Sequence, residues 1–270
     1  VVLTGSNIPS QNITCEGPQT ISLDVNCKLL VPNLIDGASA ADNCSNTFSW
    51  SQNPAMGTLI SSGEGQTHTV TVTADDGNGN LSTCTVVLTG NDITPPILTC
   101  EVAQTISLDA NCKLTIPNLI DGASVVENCA ASLILIQNPI AGTLLSSGEG
   151  VMHTVTLTTN DGNGNSSSCS VVLTGNDVTL PALTCESAQT VALDSNCKLI
   201  VPNLIDGAIA LDNCSSSILW SQNPVVGAIL TSGEGMIHVV TVIANDGNGN
   251  SASCFVTLTG KDTTPPILLC

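Results

Sequence analysis

Arginine and tyrosine are absent from this 270-residue chain, and Phe48, Trp50, Trp220 and Phe255 are its only aromatic side chains. Each absence excludes something. Without aromatics a core has to be built from Val, Leu, Ile and Ala, which bury less area per residue, so small domains of this composition need covalent staples. Four lysines against 22 acidic residues give a net charge of −18, which disfavours nucleic acid and anionic membranes as partners and favours divalent cations. There is no C-x2-C pair of the kind that holds zinc, and no helix signature. An initiator Met, a signal peptide and an apolar run long enough to span a bilayer are also missing, so the expectation is a mature, secreted stretch with no membrane insertion.

What is present repeats. Cys15, Cys100, Cys185 and Cys270 fall 85 residues apart, as do Cys27, Cys112 and Cys197, then Cys44, Cys129 and Cys214, then Cys84, Cys169 and Cys254, which accounts for all 13 cysteines. A period of this length is a domain and not a solenoid turn. The expected organisation is three tandem domains at 8–92, 93–177 and 178–262, with 1–7 closing a preceding repeat and 263–270 opening a following one, as in a piece of a longer repeat protein. Four cysteines per repeat, spaced C-x11-C-x16-C-x39-C, read as two disulfides per domain and an oxidising, extracellular setting.

The best-patterned stretch is a hairpin present in every repeat. His68, Val70, Val72 and Ala74 alternate with Thr67, Thr69, Thr71 and Thr73, the period of a strand with one face in a core. Asp76-Gly77-Asn78-Gly79-Asn80 reverses the chain, and a second strand returns with Cys84, Val86 and Leu88 inward. Cys27, Leu29 and Val31 share an inward phase upstream. PNLIDGA at Pro32, Pro117 and Pro202 breaks that strand, and Phe48 and Trp50 mark another core strand closed by Gln-Asn-Pro. The count is about seven short strands per repeat, that of an all-β immunoglobulin-like sandwich. Proline-bearing joints such as GNDITPPILTC would stiffen the links between sandwiches into a linear rod, each domain about 35–40 Å long.

The series D-x-T-P-P-I-L-T-C, D-N-C, Q-N-P-x-x-G-T and T-V-T-x-T-x-D-x-x-G-N-x-x-x-C resembles the hyalin repeat (HYR), an Ig-like extracellular module, and is most similar to its four-cysteine form in large Bacteroidetes-type bacterial surface proteins. The resemblance covers almost the whole chain and implies stalk and adhesion segments. The chain departs from it in its scarcity of aromatics and its DGNGN turn. Four cysteines allow three pairings. In an Ig-like sandwich the first and last strands lie side by side, so the expected pairs are Cys15–Cys84, Cys100–Cys169 and Cys185–Cys254, leaving Cys27–Cys44, Cys112–Cys129 and Cys197–Cys214. Such a first-to-last bridge would carry tension past the core.

No catalytic residue is expected: His68, His153 and His238 start strands in the inward phase, no cysteine is spare as a nucleophile, and no serine sits in an elbow motif. No cofactor is required. Calcium is the one candidate ion, on Asp76, Asp161 and Asp246 of the hairpins and Asp92, Asp177 and Asp262 of the joints; the plainer reading makes DGNGN and GND simple Asx turns. The outward threonines suit a solvated strand, and Val239 and Ile243 break the row, so it is not read as an ice-binding face. Sequons at Asn12, Asn43, Asn80, Asn165 and Asn213 occur in an Asn/Ser-rich chain. The expected function is a structural stalk or filament of an extracellular fibre or adhesin whose partners are further copies of the repeat; the alternative is a binding module for a glycan or protein acting by avidity.

Overall fold

The computed structural model describes residues 12–43, 45–129 and 132–266. Alternating valine and threonine makes strands and the Gly/Asn/Asp runs end them. The first repeat has eight: β1 (Asn12–Thr14), β2 (Gln19–Ser22), β3 (Lys28–Leu30), β4 (Ser39–Ala41), β5 (Ser49–Asn53), β6 (Leu59–Ser61), β7 (Thr67–Asp75) and β8 (Leu81–Asn91). The same set recurs from Ile97–Thr99 and again from Ala182–Thr184, and no helix forms among the described residues. The chain is therefore all-β, built of tandem sandwich-like repeats. The strand beyond the seven expected is β4: Ser39, Ala40 and Ala41 carry no pattern of their own and are held by pairing with β1 (Ile13↔Ala40).

In the first repeat β2, β8, β7 and β5 form a four-stranded sheet in that order, with β3–β6 and β1–β4 as separate two-stranded ladders. β7 and β8 pair antiparallel from Thr67↔Thr89 to Asp75↔Leu81, whereas β2 runs parallel to the end of β8 (Gln19↔Leu88, Ser22↔Asn91). The third repeat has the same sheet order. Val70, Val72, Val86 and Leu88 from the hairpin meet Leu23, Leu29, Val31 and Leu34 in a core to which Trp50 packs from the side. Gly77 and Gly79, at φ 78° and 92°, turn the hairpin in a region that side chains disfavour. Gly90 is required by space: a Cβ there would stand 2.7 Å from the Gly63 carbonyl oxygen. Gln52 answers for the Gln-Asn-Pro motif. Its Oε1 accepts from Leu34 N at 2.9 Å and its Nε2 donates to Pro32 O at 2.9 Å, tying the PNL turn to β5.

Disulfides join Cys15 to Cys84, Cys100 to Cys169 and Cys185 to Cys254, each across 69 residues. The inner pairs differ from expectation. Cys27 is bonded not to Cys44 but to Cys129, and Cys112 not to Cys129 but to Cys214, both across 102 residues and both into the following repeat. Cys197 is consequently free rather than bonded to Cys214, and Cys44 and Cys270 lie outside the described residues. Among the described residues each repeat holds one internal disulfide, not two. The difference starts locally: β3 begins at Lys28, so Cys27 stands in the turn before the strand, packed at the edge of the core beside Cys129. Asp24 Oδ1 accepts from Asn26 N and Lys28 N at 2.9 Å each, closing a turn that puts Cys27 at φ 56°. In that left-handed conformation its side chain leaves the alternation of the strand.

The described residues divide into two compact units, one within 12–101, 119–138 and 156–170, the other within 102–118, 139–155 and 171–266. The division passes through the middle repeat, so each unit contains one joint between successive repeats.

Candidate functional site at the repeat joints

In the first unit the joint is made by three pieces of sequence. The GND segment ends β8 and buries Asp92, which is 2% exposed. The second repeat's DGNGN turn meets it: Asn163 Nδ2 donates to Asp92 Oδ2 at 3.1 Å and Asn165 Nδ2 to the Asp92 carbonyl at 3.1 Å. Asn165 Nδ2 also reaches Asp161 Oδ2 at 2.7 Å, so its amide bridges aspartates of successive repeats. The third piece is Glu127-Asn128-Cys129. Asn128 Nδ2 donates to the carbonyl of Asp24, in the turn that presents Cys27, at 3.2 Å beside the Cys27–Cys129 disulfide. The second unit repeats this, with Asn248 on Asp177 at 3.2 Å, Asn250 on the Asp177 carbonyl at 3.1 Å and Asn213 on the Asp109 carbonyl at 3.0 Å.

The six aspartates singled out in the sequence fall into different groups from those their spacing suggests. Asp92 meets Asp161 and Asp177 meets Asp246, each pair drawn from two repeats. Asp76 is buried and hydrogen-bonded within its own turn by Asn78 and Asn80, and Asp262 is exposed. A third acid was missed. Carboxylate oxygens of Asp177, Asp212 and Asp246 lie within 4.8 Å of one another. Asp212 Oδ1 is occupied by Cys214 N and Ser215 N at 2.8 Å, while Asp212 Oδ2 and Asn213 Oδ1 are buried with no hydrogen-bond partner. Glu127 Oε2 and Asn128 Oδ1 are left the same way in the first unit. The signal was in the sequence: an acid-Asn-Cys triplet stands at Asp42, Glu127 and Asp212.

Three carboxylates this close repel by about 3 kcal/mol per pair at an effective dielectric near 20. Hydrogen bonds offset part of that. In Asp76 the Asn80 side-chain amide and the Asn78 and Asn80 backbone N–H groups outweigh burial and hold the carboxyl at about 2, below its ordinary 3.8. In Asp161 and Asp246 burial pushes upward, but the Asn165 and Asn250 amides and neighbouring backbone N–H groups prevail, and both carboxyls are lowered. Lowered carboxylates contribute stability that is complete above the unfolded value near 3.8 and lost as pH falls through the folded one. In the presence of chelator, wild type should therefore lose urea resistance relative to an Asp76→Asn/Asp161→Asn/Asp246→Asn variant between about pH 4 and pH 2. The difference removes the relief of overall repulsion, which both proteins share. Parallel pH profiles would refute it.

The histidines are structural in geometry. His68, His153 and His238 each place Nε2 3.0 Å from the hydroxyl of Ser62, Ser147 or Ser232, tying the loop before the hairpin to its first strand.

Fold and joint together define a class: tandem all-β sandwich repeats in which successive repeats share a disulfide, with a cluster of three carboxylates at the second joint. The chain is similar to hyalin of Strongylocentrotus purpuratus, 28% identical over 211 residues that make up 76% of this chain and 17% of that protein. It thus spans about a sixth of the length of this relative. That relative is a sea-urchin protein and lends no support to a bacterial source. No protein-family model matches the chain. Among solved structures it is similar to extracellular cadherin domains 1–5 of protocadherin gamma B2, at 14% identity and TM-score 0.46 over 98% of this chain and 62% of that one. It is also similar to domains EC22–24 of mouse cadherin-23, at 13% identity and TM-score 0.41 over 94% and 99%.

Proposed function

We propose that the chain is a load-bearing structural segment of an extracellular, cell-surface adhesion or fibre protein, with domains at 8–92, 93–177 and 178–262 acting as successive links. One observation carries this reading: each described joint is doubly tethered, by the proline-bearing linker and by a disulfide between repeats. A recognition module gains nothing from such a lock, whereas a segment that has to keep its repeats in fixed register does. Similarity to hyalin and the five disulfides support an extracellular setting. Its partners are further copies of the repeat.

Calcium belongs to the same reading. Asp177, Asp212 and Asp246 with Asn213 Oδ1 offer the hard oxygen ligands that calcium takes, and Asp92, Glu127, Asp161 and Asn128 stand at the same places of the first joint. An ion there would neutralise like charges contributed by two repeats, stiffening the joint and stabilising the folded state by mass action. With disulfides intact, millimolar calcium should raise the melting temperature by several degrees and narrow the range of dimensions seen by small-angle scattering, and Asp212→Asn with Glu127→Gln should abolish both effects. Melting and scattering curves that EDTA leaves unchanged would reduce the cluster to hydrogen-bonded turns.

A further inference from the structure

The DGNGN turn holds an aspartate and an asparagine that are each followed by glycine, whose backbone nitrogen no side chain shields from attack on the neighbouring carboxyl or amide carbon. The structure separates the two pairs. Gly162 N donates to Asn160 Oδ1 at 2.7 Å and Gly247 N to Asn245 Oδ1 at 2.7 Å, so the nitrogens that follow Asp161 and Asp246 are engaged. Asp161 Oδ1 accepts from Asn163 N at 2.8 Å and Asn165 N at 3.1 Å, passing over Gly164 N between them, and Asp246 Oδ1 treats Asn248, Gly249 and Asn250 alike. Gly164 and Gly249 are exposed, at φ 105° and 108°, and a Cβ on either would meet nothing within 4 Å. The nitrogens that follow Asn163 and Asn248 are therefore open to water and outside the hydrogen bonding of the turn.

What restrains these two asparagines is the joint. Asn163 Nδ2 donates to Asp92 Oδ2 at 3.1 Å and Asn248 Nδ2 to Asp177 Oδ2 at 3.2 Å, each across two repeats onto an aspartate that is almost fully buried. Cyclisation builds negative charge on the asparagine Oδ1, and the carboxylates gathered at the closed joint disfavour it. We infer that Asn163 and Asn248 are deamidation sites gated by their joints. A closed joint protects the amide, an open one lets it convert, and the carboxylate so formed keeps the joint from closing again.

In the open joint Gly164 N gives up its proton to water and attacks Asn163 Cγ. The N–Cγ bond forms, the Cγ–Nδ2 bond breaks, and ammonia leaves with a proton taken from water. A second water opens the resulting succinimide at either carbonyl, restoring the N–H and giving aspartate or isoaspartate. One water is consumed, one ammonia is released, and nothing is oxidised or reduced. The donor that faced Asp92 Oδ2 has become an acceptor of like charge, which repels it. The inference rests on the hydrogen bonds of the joint and on neither calcium nor load bearing, so it is tested in chelator.

The test incubates the 270-residue chain, disulfides formed, at neutral pH and reads each site by peptide mapping. Cys27→Ser/Cys129→Ser unclamps the first joint and should speed conversion of Asn163 by about tenfold while Asn248 keeps its wild-type rate; Cys112→Ser/Cys214→Ser should do the reverse. The unaffected site is the folding control in each variant. Isoaspartate at Asp161 and Asp246 should lag behind both asparagines in every protein. Made directly, Asn163→Asp should raise hydrogen exchange in residues 91–94 by about tenfold with circular dichroism unchanged. Equal rates in all three proteins would overturn the gating, isoaspartate forming faster at Asp161 than at Asn163 would overturn the choice of site, and unchanged exchange in Asn163→Asp would overturn the block on reclosure.

Discussion

Stretched between handles at Cys15 and Cys254 with every disulfide intact, the chain should lengthen only at its two joints and never by the unravelling of a repeat. Force entering at Cys15 crosses to Cys84 through sulfur, follows the sixteen residues to Cys100, crosses to Cys169 and leaves through the next joint. At about 3.4 Å per extended residue each joint has at most roughly 55 Å of contour. Reduction should instead give steps of roughly 230 Å as each 69-residue span is released. The inter-repeat bond adds a second barrier. In a Cys15→Ser/Cys84→Ser variant the covalent route from residue 15 to Cys100 runs through Cys27 and Cys129, so extension should stop after the 12 residues before Cys27 and the 29 between Cys100 and Cys129, roughly 140 Å of contour. Adding Cys129→Ser should free all 85 residues, roughly 290 Å. A step near 230 Å from the fully oxidised chain would end the load-bearing reading.

Removing the bond between repeats in an otherwise intact protein should uncouple their stabilities. Cys27 and Cys129 are 102 residues apart, but Cys15–Cys84 already shortens the covalent circuit, and a loop of several tens of residues is what the bond closes. In the chain-entropy view that is worth about 4 kcal/mol, a large share of the 5–15 kcal/mol typical of a folded domain. The aromatics report on it separately. Trp50 packs on the core of the first repeat and Trp220 on that of the third, and the second repeat has no tryptophan. In Cys27→Ser/Cys129→Ser the Trp50 transition should move down by about 2–4 M urea, while the Trp220 transition stays where it was. Equal shifts at both tryptophans would mean that the bond acts through global misfolding and not through its own joint.

The strands were legible because their signal is local. Thr67–Asp75 alternates residue by residue, and the structure buries Val70, Val72 and Ala74 while leaving Thr67 and Thr69 exposed. The DGNGN turn was legible for the same reason, since glycine at positive φ and aspartate accepting from the backbone two and four residues on are short-range chemistry. β4 was not, because Ser39-Ala40-Ala41 is a strand only by virtue of β1 beside it. Cys27 misled through one dihedral angle: the strand alternation extrapolated from Leu29 and Val31 stops where the backbone turns left-handed, and Cys27 packs at the edge of the core beside the next repeat's Cys129.

By itself the sequence determined the all-β class, the repeat of 85 residues, the strand phases and the need for disulfides, all of which follow from composition and from spacings within a few residues. Only the tertiary structure decided which repeat each joint residue belongs with. A chain that repeats every 85 residues specifies partners only up to a whole period: Cys27 faces the same Asn-Cys pair at Asn43-Cys44 and at Asn128-Cys129, and Asp92 the same turn at Asp76 and at Asp161. Spacing cannot break that degeneracy. The structure breaks it because the Asp24 turn that presents Cys27 and the GND segment that ends β8 meet the next repeat's Asn128-Cys129 pair and DGNGN turn, so the disulfide and the carboxylates both come together across the joint.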